Sequence, residues 1–79
     1  MELKKAKEIS LELIEKLAPK NTTFEFDNSK SSIGTCKYRE GGDIISISKC
    51  YMPQLNESEV RNVIIHEIAH VLNPRQKHN

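Results

Sequence analysis

The chain has 79 residues, of which 37% are hydrophobic and 29% charged, and its formal net charge is only +1. A domain this small has a narrow stability margin, so every buried polar group needs a reason. The composition excludes intrinsic disorder, and the near-neutral balance excludes a bulk electrostatic pull on nucleic acid or anionic lipid.

The N-terminal segment "MELKKAKEIS" has acidic residues where a secretory signal would have an apolar core, and no run approaches membrane-spanning length. A cytoplasmic, monomeric protein without membrane attachment is expected. The Lys4, Lys5 and Lys7 cluster is too short to serve as a basic patch. Leu3, Ala6, Ile9, Leu13, Ile14 and Leu17 recur at three- and four-residue steps with Lys and Glu between them. That spacing predicts a one-faced amphipathic helix, ended by Pro19.

From Thr22 the chain changes character. "TTFEF", "SIGTCKYR" and "DIISIS" are rich in β-branched and aromatic residues, are separated by "DNSKS" and "EGG", and read as three strands. The short connectors predict hairpins, and hence a three-stranded, mainly antiparallel meander. Cys36 and Cys50 are too few for a disulfide framework and too far apart for a Cys-x-x-Cys zinc site, and are expected to be buried free thiols. A bridge between them would require their segments to be neighbouring strands.

In "MPQLNESEVRNV", Asn56 is followed three residues later by Glu59, the pairing of a capping box, with Leu55 and Val60 as a hydrophobic staple. A second helix is predicted from about Glu57 to about Asn73, stopped by Pro74. The order is α-β-β-β-α. No repeat, low-complexity tract or linker divides it, so residues 1–79 are expected to form a single α+β domain.

The second helix contains "VIIHEIAHVL". His66 and His70 are four residues apart, so both imidazoles project from one face and can bind a single cation. Glu67 lies about 100° further round the helix, within reach of a water on that cation. This is a pattern for metal-assisted hydrolysis, in which Zn2+ activates water and a carboxylate takes its proton. The apolar residues Val63, Ile64, Ile68, Ala69, Val71 and Leu72 predict a helix enclosed on most sides. A third ligand is needed. His78 is the sole histidine after the helix, with Glu25 or Asp43 as alternatives, and Tyr38 or Tyr51 can be considered as donors to an oxyanion.

"HEIAHVLNPRQKHN", together with "IGTCKY", "DIISIS" and the capped acidic helix start, resembles the SprT-like metallopeptidases, a family that includes the Spartan proteases. The resemblance implies a zincin-like minimal metallopeptidase with a helix, a small sheet and an active-site helix. Zinc would be held by His66, His70 and His78, with Glu67 as the catalytic residue. Relatives usually continue past the third histidine into a further helix, often with a tryptophan, and this chain has no Trp, so a C-terminally truncated domain is expected. Arg75 and Gln76 stand where relatives commonly have glycine and another histidine. The function expected is zinc-dependent hydrolysis of a protein or peptide substrate, with association with DNA implied by the resemblance alone. The alternative is a zinc-stabilised protein- or DNA-binding module that cleaves nothing.

Overall fold

The computed structural model describes residues 1–73 of the chain. The N-terminal apolar spacing forms helix α1, Leu3–Leu17, which buries Ala6, Ile9, Ser10 and Ile14. Ser10 is tolerated there because its hydroxyl donates to the Ala6 carbonyl at 2.7 Å. Three strands follow, β1 (Thr23–Asp27), β2 (Gly34–Lys37) and β3 (Ile44–Ser48), then a 3-10 segment, Lys49–Gln54, and helix α2, Glu57–Leu72. Among the described residues no helix is long and apolar enough to cross a membrane. The stop expected at Pro74 lies outside the described residues.

The sheet departs from the expected meander. Its order is β1-β3-β2, with β1 parallel to β3 and β2 antiparallel to it, so it is a mixed sheet. The β2–β3 hairpin forms as read, through a turn in which Gly41 and Gly42 take positive φ of 92° and 146°. A side chain at Gly42 would also run into the Asn21 carbonyl. The connector after β1 is no hairpin. It carries the chain past the end of β3, where the Ser48 amide donates to the Ile33 carbonyl at 2.8 Å. The physical reason lies in β3, whose Ile45, Ser46, Ile47 and Ser48 are all buried, so both faces are covered. Such a strand is most stable in the centre, with its backbone bonded on both edges.

Ile45 and Ile47 meet Ala6, Ile9 and Ile14 of α1, Met52 of the 3-10 segment, and Val60, Ile64, Ile68 and Val71 of α2 in one core. Both helices therefore cover the same face of the sheet. The opposite face is polar. There the Lys37 ammonium reaches the Glu25 carboxylate at 3.2 Å across β3, and the Ser46 hydroxyl lies 3.4 Å from the same carboxylate. Both cysteines are free thiols as expected, but only Cys36 is partly buried, and Cys50 is exposed. Cys36 lies on β2 and Cys50 in the 3-10 segment, so they are not on neighbouring strands.

Candidate functional site

Helix α2 is placed by its N-terminus. The Asn56 side chain accepts from the Glu59 amide at 2.8 Å, and the Glu59 carboxylate accepts from the Asn56 amide at 2.9 Å. These two bonds satisfy donors that a helix start otherwise leaves orphaned. Leu55 packs on the core that contains the fully buried Val60. From there Val60, Ile64, Glu67, Ile68 and Val71 form the buried stripe. The expectation of a helix enclosed on most sides is corrected by Ile65 and Leu72, which are 46% and 54% exposed, and by Ala69, which is also exposed. One short helix and one three-stranded sheet supply a single wall, so α2 buries one face only.

His66 and His70 stand on the boundary of that face, His66 exposed and His70 half-buried. Their Nε2 atoms are 3.1 Å apart, and their rings meet edge to face at 86° with centroids 4.6 Å apart. Two imidazoles bound to one tetrahedral zinc at about 2.0–2.1 Å would hold their nitrogens roughly 3.3 Å apart. The observed 3.1 Å separation is close to the one a shared cation would set. The same separation also suits one N–H···N bond between the rings.

Glu67 is only 7% exposed. It lies against β2 where that strand carries Gly34. A Cβ at this position would fall 2.5 Å from Val63 Cγ1 and 3.3 Å from Glu67 Oε2. The missing side chain lets α2 approach the strand closely enough to bring the carboxylate onto its backbone. One residue past the end of β2, the Tyr38 hydroxyl donates to the His70 carbonyl at 3.2 Å. Burial raises the Tyr38 phenol above its ordinary value, and Cys36, Asp43 and Glu67 add to the effect. It is thus a protonated donor at neutral pH. The Tyr51 hydroxyl instead donates to the Lys30 carbonyl at 2.6 Å, in the loop between β1 and β2.

The structure brings His66, Glu67 and His70 together on one turn of α2, as read from the sequence. It does not bring Glu25 or Asp43 to them. Glu25 pairs with Lys37 on the far face of the sheet, and Asp43 accepts from the Arg39 amide at 3.0 Å in the β2–β3 turn. Among the described residues no group of three or more His, Cys, Asp or Glu side chains is placed to hold a metal ion. His78, the third ligand expected, lies outside the described residues. Sequence reasoning missed the steric role of Gly34 and the bond from Tyr38 to His70, because both are contacts across the fold. The sole local signal was the "GTCKY" run that carries the two residues.

The model of the SprT-like family matches residues 4–79. No curated protein matches the chain.

Proposed function

The chain belongs to the SprT-like family, and on that premise we propose that it is a zinc-dependent endopeptidase. His66, His70 and His78 would hold the metal, and Glu67 would move the proton. The observation that carries this reading is the 3.1 Å approach of the His66 and His70 Nε2 atoms, one residue from a carboxylate buried to 7% exposure. When bound, zinc supplies Lewis acidity toward a carbonyl and brings the pKa of water to about 7.

Glu67 does the proton work. Walled on one side by the β2 backbone at Gly34, its carboxylate takes the proton of the attacking water and returns it to the leaving amine. A carboxylate has no comparable use in a site kept for structure alone. For substrate, β3 of the "DIISIS" segment is ruled out as a docking edge because it is the central strand. The edge strand against α2 is β2, and its outer backbone groups offer main-chain bonds to an extended protein or peptide substrate. A role on DNA rests on the family resemblance, since a charge of +1 lends it no independent support.

The test is elemental analysis of the purified chain with a casein cleavage assay, with and without DNA, for wild type and Glu67→Gln. Both proteins should carry zinc equally and wild type alone should cleave. Zinc without cleavage in wild type would favour the non-catalytic module, and loss of zinc in Glu67→Gln would make Glu67 a ligand.

A further inference from the structure

The last turn of a helix leaves carbonyls without an intrahelical donor, and the carbonyl of His70 would ordinarily take the amide of residue 74. Residue 74 is proline, which has no N–H to give. The hydroxyl of Tyr38, from the end of β2, donates to that carbonyl at 3.2 Å. We propose that Tyr38 is a positioning residue for the metal ligand His70: its hydroxyl stands in for the amide that Pro74 lacks and holds the last turn of α2 with the His70 imidazole facing His66. The proposal rests on the zinc reading given above.

A second contact makes the clamp directional. Gly34 meets Val63 and Glu67, and Tyr38 meets His70, so contacts advance along β2 and α2 in the same sense. Four residues of strand span about 13 Å, and the seven from Val63 to His70 span about 10 Å of helix. One strand thus registers both ends of the site-bearing segment. A phenol has a single O–H to donate. Directed at the His70 carbonyl, the hydroxyl acts through His70.

The test is zinc affinity by chelator competition for wild type, Tyr38→Phe and Tyr51→Phe, with circular dichroism to establish folding. Tyr38→Phe should bind zinc about two- to tenfold more weakly, the range for one hydrogen bond. Tyr51→Phe, which loses a similar bond to the Lys30 carbonyl, should bind as wild type does. A merely structural Tyr38 would lower the melting temperature without moving zinc affinity, and equal affinity in wild type and Tyr38→Phe would overturn the proposal. Absence of zinc binding in wild type would remove the metal reading itself, a different result. Should Tyr38→Phe not fold, uniform incorporation of 3-fluorotyrosine, a stronger donor, should shift the His70 carbonyl 13C resonance, and an unmoved resonance would overturn the proposal.

Discussion

Replacing Gly34 by alanine adds one methyl group at the point where α2 lies closest to the sheet. Among the described residues only Gly41 and Gly42 have positive φ, so the backbone at residue 34 suits alanine and the cost is steric. The new Cβ would sit 2.5 Å from Val63 Cγ1, whereas carbon atoms rest at about 3.5–4.0 Å. Relief therefore needs a displacement of about 1 Å. Overpacking of this kind costs about 1–3 kcal/mol, which in a domain of this size lowers Tm by roughly 5–20 °C. Because Glu67 Oε2 is also within 3.3 Å of the added atom, the shift reaches the carboxylate, and a displacement near 1 Å can cost on the order of 10²-fold in rate. Urea unfolding of wild type, Gly34→Ala, Val63→Ala and the double variant isolates the cause. Val63→Ala removes the clashing methyl, so the double variant should be at least about 1 kcal/mol more stable than the two single losses added together. Additivity within about 0.5 kcal/mol would refute the close-approach account.

Asn56→Ala removes the capping side chain of α2 and should cost about 1 kcal/mol in urea unfolding; an unchanged midpoint would show that the cap does not hold the helix. The Glu25 carboxyl is held below its ordinary value by the hydrogen bond and charge of Lys37. Its stabilisation is therefore fully present above the unfolded pKa and is lost as pH falls through the depressed folded one. Glu25→Gln should melt slightly below wild type at neutral pH, the difference closing as pH falls through the depressed folded value; a gap that widened in acid would contradict the sign. His78→Ala should weaken zinc binding on the order of tenfold or more in a zinc titration, if His78 is the third ligand. Equal affinity would remove it from the site.

Local chemistry was readable from the sequence where bonding partners are close along the chain. The capping box of Asn56 and Glu59, the four-residue step from His66 to His70 and the Gly41-Gly42 turn each connect residues within a single turn or hairpin, and each forms in the structure. The strand order did not follow from such signals. Whether β3 extends a meander or slips between β1 and β2 depends on burial of both its faces, and the small polar Ser46 and Ser48 are buried along with Ile45 and Ile47. The 3-10 segment was missed for a related reason. Its start is capped by the Ser48 hydroxyl, which accepts from the Cys50 amide at 3.2 Å, and Pro53 within it reads as a break. Gly34 and Tyr38 gain their roles only when α2 is laid over β2, more than thirty residues away for Tyr38 and His70.

If metal held by His66 and His70 makes this chain a peptidase through Glu67, as proposed, cleavage must depend on that metal. The most direct measurement is casein cleavage by the purified chain before chelation, after chelation, and after zinc is restored, with His66→Ala carried in parallel. Wild type should lose cleavage to the chelator and regain it with zinc, while His66→Ala should stay inactive throughout. Cleavage indifferent to chelation, or none from wild type shown to be folded and zinc-loaded, would contradict the account.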